Sequence, residues 1–400
     1  MTDINQIDSG LIDISARSPG FGGVAATTYS VFHGLNVLGG IPALPANVDH
    51  QGFTFFTKPC LNLSYDNVIG QRKMAYLADK RKESMGNLIR CMLSPPGYDK
   101  DGDAYRSSII DDKLAFLPVS NLLLTLSAPP DIVADTYTSN EGFNKEQVTF
   151  VDSKPNIYNA YDLTATFANM EGDPISTIFS TWLEYEMRVL EGSMLPYPIH
   201  IVENRIDYNT RIYRFTMDRS KRFINRIYAC GAAFPTSVPT GAVMGYTQGQ
   251  HFSSENDQIQ ITFRCMGAMY DDPILIREFN DTVVTFNPDM HDSRRGGMKK
   301  ISGVTPDGLQ MLSLFNYRMY PRIAPTMELE WYATASDYTA IMGLVNNALI
   351  PQSVNTMTEL TPQADQKAAP VISPVISPWT NSIVPLPAKP WTKPTTPPKA

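Results

Sequence analysis

Three carboxylates lie close together in one segment, at Glu184, Glu186 and Glu191. Glu184 and Glu191 are seven positions apart, which places them on one face of a helix. Glycoside hydrolysis uses a pair of facing carboxylates, so these residues could take part in it if another element supplied the partner. The same spacing is also typical of the solvent side of an amphipathic helix, which is the interpretation we favour.

A second acidic segment, Asp99–Asp103, resembles the start of a calcium-binding loop. An EF-hand loop needs glycine at its sixth position and glutamate at its twelfth. Those positions hold Ala104 and Ile110. The mismatch favours an ordinary polar turn.

The other residue types that commonly act in catalysis or bind cofactors form no recognised motif. The sequence contains no HExxH pair, no GxSxG elbow, and neither a GxGxxG nor a Walker-type phosphate loop. Its four cysteines are widely spaced and form no CxxC pair, as expected of free thiols in a reducing compartment. We therefore predict a protein that is not an enzyme, with no catalytic, cofactor-binding or metal-binding residues and no cofactor.

Composition and charge limit the classes of partner that the protein is expected to bind. The net charge is −7 and charged residues make up only 18% of the chain. A protein that binds nucleic acid normally has a basic stripe on its surface. The compact basic cluster here, Arg294 to Lys300, is instead typical of a solvated loop. Passive contact with a passing polymer needs no such stripe. No apolar run of about twenty residues is present, so we predict no membrane insertion.

Two segments are predicted to be long helices. Asn67–Met92 has apolar residues on one side and a run of charges on the other. The second helix is better delimited, because Asp173 is a natural N-cap, Pro174 a natural first residue and Gly192 a natural residue beyond the C-terminus.

Short β-type segments occupy much of the remaining chain. Gln258–Ala268 alternates apolar and polar residues with period two, as a half-buried strand does. The other predicted strands are 52–63, 147–151, 161–167, 200–202, 209–215, 223–230, 283–286 and 327–332, with short helices at 120–126 and 336–348. The pattern predicts an α+β fold, mainly β, built on an antiparallel sheet or barrel with flanking helices.

Both ends of the sequence look like extended arms. Residues 1–50 are rich in glycine and proline but keep apolar residues such as Phe21 and Phe32. Residues 361–400 contain ten prolines with spaced apolar residues between them. Proline excludes helix and inner strand, so this segment, the C-terminal strap, should be extended and should dock on another surface. We predict Trp379, Trp391, Ile372 and Ile376, with Phe21 and Phe32, as interface residues.

Three patches together carry a family resemblance: Gly52–Leu63, Ile206–Phe215 and Gly231–Pro239. With the helix that ends before Gly192, their order and spacing resemble the virion structural proteins of large contractile-tailed bacteriophages. The resemblance spans about residues 50–290.

The resemblance implies a tail or baseplate component of the virion, made in the host cytoplasm. Its fold would be a tube-type β-barrel or sandwich core over 51–290, with arms at 1–50 and 361–400 and an accessory region over 291–360. Such subunits form homo-oligomeric rings by pairing of strand edges, contact other tail or baseplate proteins, and can surround passing DNA. The implied role is therefore inner tube, tube initiator or hub.

Two other functions remain as alternatives. A neck or capsid-side structural protein could use the same proline-rich strap. A tail-associated cell-wall hydrolase would use carboxylates near Glu184 or Asp207.

Overall fold

The structure is a computed structural model, and it describes residues 50–95, 110–152, 156–218, 221–244, 257–301 and 319–349. Within these ranges, the residues from 50 to 347 belong to one compact unit, and residues 348 and 349 are assigned to a second.

Eleven strands and seven α-helices are defined in these residues. The strands are β1 His50–Phe56, β2 Leu123–Leu126, β3 Thr136–Thr138, β4 Thr149–Val151, β5 Ala160–Ala168, β6 Ile212–Met217, β7 Ile224–Ser237, β8 Gln258–Tyr270, β9 Met298–Ile301, β10 Tyr320–Ile323 and β11 Leu329–Thr334. The helices are α1 Tyr65–Ile69, α2 Met85–Leu93, α3 Pro174–Leu190, α4 Pro198–Val202, α5 Thr240–Val243, α6 Ile274–Phe286 and α7 Ala335–Leu349. Short 3₁₀ helices include Arg72–Ala78 and Pro118–Leu122.

The main sheet has six antiparallel strands in the order β1-β6-β7-β8-β5-β2. Alternate side chains enter two different hydrophobic clusters, as the period of a strand requires. Phe56 and Ile212 lie in the cluster that contains helix α3, whereas Phe55 and Tyr213 lie in the cluster that contains helix α6. The β1-β6-β7 half of the sheet is therefore buried on both faces. The predicted mainly β, antiparallel fold with flanking helices is confirmed.

Two glycines, Gly231 and Gly267, face each other in the long strands β7 and β8. Gly267 has φ +64°, a left-handed conformation that glycine adopts without strain. Opposite it, a Cβ added to Gly231 would lie 2.9 Å from the Met266 carbonyl oxygen. This close approach lets the sheet curl into a half-barrel.

The curl brings the two edge strands towards each other. Just beyond β1, the Leu117 N–H donates to the Phe56 carbonyl oxygen and the Lys58 N–H to the Ala115 carbonyl oxygen, each at 2.8 Å. The chain that leads into β2 is therefore joined to the end of β1. Farther along, β1 and β2 diverge around a groove of about 700 Å³ that Phe53, among others, lines.

A smaller sheet, in the order β10-β11-β9, completes the cluster around helix α6. Met298, Tyr320 and Leu329 share that cluster with Phe215 of the main sheet. The described strands β9, β10 and β11 thus share a hydrophobic cluster with the main sheet.

The prediction of one helix over Asn67–Met92 is wrong, because the segment folds as α1, a 3₁₀ helix and α2. The buried residues Met74, Leu77 and Ile89 keep the predicted apolar pattern. The 3₁₀ helix and α2 pack against each other and do not form one continuous helix. They approach so closely that a Cβ at Gly86 would overlap the Tyr76 carbonyl oxygen.

Three shorter predictions are also wrong. Residues 283–286 are the last turn of α6, where Val283 and Phe286 continue the apolar face that Leu275 and Phe279 begin. Residues 200–202 lie in helix α4, and the predicted helix 120–126 is a 3₁₀ turn followed by β2. In each case the short apolar run is compatible with both the helix period and the strand period, so packing against neighbouring elements decides which structure forms.

Candidate assembly surfaces and the polar cleft

A β-hairpin projects from the compact unit over residues 131–152, and we call it the exposed hairpin. Its strands β3 and β4 pair only with each other among the described strands. Nearly every residue in it is exposed. Its large apolar side chains are Ile132, Val133, Tyr137, Phe143, Val148, Phe150 and Val151.

The register places the aromatic residues of the hairpin on one face. Tyr137 lies directly opposite Phe150, so their side chains point the same way. At the tip, Lys145 adopts φ +63° and its N–H donates to the Gly142 carbonyl oxygen at 3.0 Å. This turn leaves Phe143 fully exposed, at 101% of its reference area. An isolated two-stranded hairpin is marginally stable, so a cluster of exposed aromatics on one indicates a surface that another molecule covers.

The exposed hairpin is also acidic. It contains one lysine, Lys145, against five carboxylates, which are Asp131, Asp135, Glu141, Glu146 and Asp152. Glu141 and Glu146 flank Phe143 at the tip. The tip therefore presents an aromatic ring between two negative charges.

A second surface, the Thr–Gln face, lies on β5 and β8. Thr164 is paired with Thr262, and Thr166 with Gln260, on the side of the sheet opposite the α3 cluster. The facing charges Asp162 and Arg264 form an ion pair at 2.9 Å. This face is polar and close to neutral.

A polar cleft of about 520 Å³ opens beyond the end of β1. Its lining includes Lys58, Arg205, Asp207, Arg211 and Phe286. Arg211 pairs with Glu278, and Arg205 lies 3.5 Å from Glu203. Both guanidinium groups therefore already have carboxylate partners.

Lys58 differs from those arginines. The residue is only 6% exposed. Among the described residues its Nζ forms no direct ion pair, although the charges of Asp111 and Asp112 act on it. Its ammonium group lies 5.7 Å from the centre of the Phe286 ring. Burial lowers the pKa of Lys58 to about 8.

Glu184 does not lie on the solvent side of its helix, so that prediction is wrong. The residue is buried on α3, and its carboxylate accepts hydrogen bonds from Arg188 at 2.6 Å and Lys73 at 3.2 Å. Burial alone would raise its pKa, but these bonds more than offset it and the pKa is lowered. Lys73 and Tyr76 from the 3₁₀ helix contact Glu184 and Thr181 on this side of α3, which the helix's own pattern could not reveal.

Glu186 and Asp207 interact in a buried environment. Burial, followed by the charge of Asp207, raises the pKa of Glu186 to about 9. Asp207 accepts a hydrogen bond from the Tyr185 hydroxyl, and burial raises its pKa as well. Asp207 lines the cleft but Glu184 does not, so the carboxylates of the hydrolase alternative do not share one open site.

The predicted N-cap is only half correct. Helix α3 begins after Asp173, but this residue has φ +53° and its side chain caps no backbone N–H. Instead its carboxylate accepts a hydrogen bond from Asn169 Nδ2 at 2.8 Å. The helix ends as predicted, with Gly192 at φ +72°.

The six predicted interface residues, Phe21, Phe32, Ile372, Ile376, Trp379 and Trp391, lie outside the described residues, as do the predicted arms apart from residue 50 and the segment Asp99–Asp103. Sequence reasoning identified a strand at 147–151 but missed the hairpin. The signal was present as an Asn-Lys turn between two runs of threonine and aromatic residues.

No group of three or more histidine, cysteine or acidic residues within the described ranges is arranged to hold a metal ion. In the same residues, none of the helices combines the length and apolar character needed to span a bilayer.

The described residues thus combine a curled antiparallel sheet with an exposed, apolar hairpin. The chain belongs to the family described as "Putative phage tail tube protein", whose sequence model matches residues 3–350. A search of the curated proteins found no significant match.

Three solved structures share low similarity with the chain. The tube-terminating cap of the anti-feeding prophage is 14% identical, with 40% of this chain and 83% of that chain covered and a TM-score of 0.24. The sheath/tube terminator of the PVC extracellular contractile injection system, in its extended state, is 14% identical over 39% and 86%, with a TM-score of 0.23. The sheath–tube complex of the same system is 13% identical over 40% and 83%, with a TM-score of 0.24.

Proposed function

We propose that this protein is a structural subunit of a phage tail, as an inner-tube, tube-initiator or hub component, which forms a homo-oligomeric ring around a DNA conduit. The observation that carries the proposal is the exposed hairpin on a chain of the tail tube family. Covering Tyr137, Phe143 and Phe150 on assembly removes apolar area from water, at roughly 25 cal/mol per Å².

The edges of the main sheet support the same role. β1 and β2 end the six-stranded sheet, and open edges favour pairing with another chain unless they are covered. Ring closure covers every edge at once, because each subunit gives one edge and receives another.

The Thr–Gln face suits the wall of a conduit. Tight binding to phosphates requires clustered lysine and arginine, whereas Arg264 on this face is already paired with Asp162. A neutral polar wall lets DNA slide past without being held.

Electron microscopy of the purified protein, with antibody labelling of intact virions, tests the proposal. We expect rings with a central channel and labelling along the tail. Labelling of the head or neck would contradict the tail assignment and favour a capsid-side protein. Peptidoglycan clearing in a zymogram, lost on substitution of Asp207, would favour the hydrolase alternative.

A further inference from the structure

The polar cleft contains a buried cation, Lys58, that forms no direct ion pair among the described residues, although the charges of Asp111 and Asp112 act on it without contact. Lys58 is 6% exposed and unpaired among the described residues, whereas Arg205 and Arg211 in the same cleft have carboxylate partners. An ammonium group removed from water is costly unless an anion compensates it. The cleft is therefore prepared for a negatively charged group that enters from outside.

The cleft can also receive an aromatic ring. Besides polar groups it is lined by Phe286, Ile206, Ala232 and Cys60. Its volume of about 520 Å³ lies within the usual range of ligand-binding pockets. The occupant best matched to this lining combines a carboxylate with an apolar side chain.

The tip of the exposed hairpin has that combination. Phe143 is fully exposed between Glu141 and Glu146, and the hairpin as a whole carries five carboxylates against one lysine. We propose that the hairpin tip of a second copy of this chain docks in the polar cleft, where Glu141 or Glu146 pairs with Lys58 and Phe143 packs near Phe286. This inference rests on the proposed function, because it specifies how neighbouring subunits make contact.

Chemical crosslinking tests the contact in the assembled full-length protein. Equal amounts of ¹⁴N-labelled and ¹⁵N-labelled protein are co-assembled and treated with a carbodiimide, which joins an amine and a carboxylate only where they touch. We expect mixed-isotope crosslinked peptides that join Lys58 to Glu141 or Glu146. Assemblies in which Lys58 is joined to another segment, or to none, would overturn the inference and leave the proposed function standing. Failure of the wild-type protein to assemble would instead count against the proposed function.

A double-mutant cycle gives an independent test. Lys58→Met removes the cation, and the combined Glu141→Gln and Glu146→Gln change neutralises the tip. Each is expected to raise the concentration at half-assembly about tenfold, the effect of losing one charge-assisted hydrogen bond. Combining them should add little more, because both remove the same contact.

Matched controls separate this contact from general charge effects. Lys299→Met removes an exposed lysine, and Asp135→Asn with Asp152→Asn neutralises the base of the same hairpin. We expect both controls to assemble like the wild type. Additive effects of the Lys58 and tip changes, or equal effects of the controls, would overturn the inference.

Discussion

Single residues in this protein divide clearly between core and surface roles, and two phenylalanines show the contrast. Phe279 is fully buried, with its ring centre 4.9 Å from that of Phe116 and 5.2 Å from that of Tyr213. Phe143 is fully exposed at the hairpin tip. The same residue type therefore serves folding at one site and is available for assembly at the other.

We predict that Phe279→Ala lowers the free energy of unfolding by about 3–5 kcal/mol, because it leaves a cavity among aromatic rings. Phe143→Ala should change it by less than about 0.5 kcal/mol, as surface substitutions usually do. Denaturant unfolding of the subunit measures both. Equal losses for the two variants would contradict the assignment of core and surface.

The buried carboxyl of Glu186 gives a prediction about pH. Its pKa is raised from 4.5 to about 9 in the folded protein, mainly by burial. Between those pH values the unfolded chain releases a proton that the folded chain keeps, so the contribution of Glu186 to stability falls as pH rises.

We therefore expect Glu186→Gln to match the wild type near pH 4 and to exceed its stability at pH 8, by on the order of 2 kcal/mol. Thermal or denaturant unfolding across this pH range is the measurement, with the exposed Glu171→Gln as control. Stability curves that stay parallel at every pH would show that Glu186 does not titrate in this way.

At the scale of elements, the exposed hairpin is the feature that separates folding from assembly. Replacing residues 132–151 with a short glycine-serine turn should leave the subunit's melting temperature within about 2 °C, because this segment adds almost no buried surface. The same change should abolish assembly, measured by sedimentation velocity. A large fall in melting temperature would show that the hairpin belongs to the core.

The sequence predicted the elements whose signal is local. The alternation in Gln258–Ala268 and the proline and glycine that bound α3 identify these elements correctly, because period and caps are properties of the segment itself. The predicted helix over Asn67–Met92 failed because Gly86 lets α2 lie against the Tyr76 carbonyl of the preceding 3₁₀ helix, an approach that the apolar pattern does not reveal. The strand predicted at 283–286 failed because its residues complete a helical face that begins at Leu275.

The candidate site was harder to predict than the fold. Lys58 is separated by about 150 residues in sequence from Arg205 and Asp207, which share its cleft. Nothing in the sequence around Lys58 shows that the residue is buried. The prominent acidic helix residue Glu184 proved to be a structural ion-pair partner, because Lys73 and Arg188 converge on it.

At the scale of the whole molecule, the C-terminal strap remains a prediction about assembly. We expect removal of residues 361–400 to leave the melting temperature of the core unchanged, because proline-rich segments contribute little to a subunit's own core. Assembly should weaken, and Trp379→Ala or Trp391→Ala should act as a partial deletion, since aromatic anchors often dominate interfaces. Calorimetry and sedimentation distinguish the two effects, and a large loss of core stability would contradict this role.

The account as a whole depends on the claim that this chain is a ring-forming subunit. Cryo-electron microscopy of the purified full-length protein over a rising concentration series tests that claim most directly. We predict closed rings with a central channel, in which the exposed hairpin of each subunit lies against its neighbour. Compact monomers with a solvent-exposed hairpin at every concentration, in a protein also absent from the tails of virions, would contradict it.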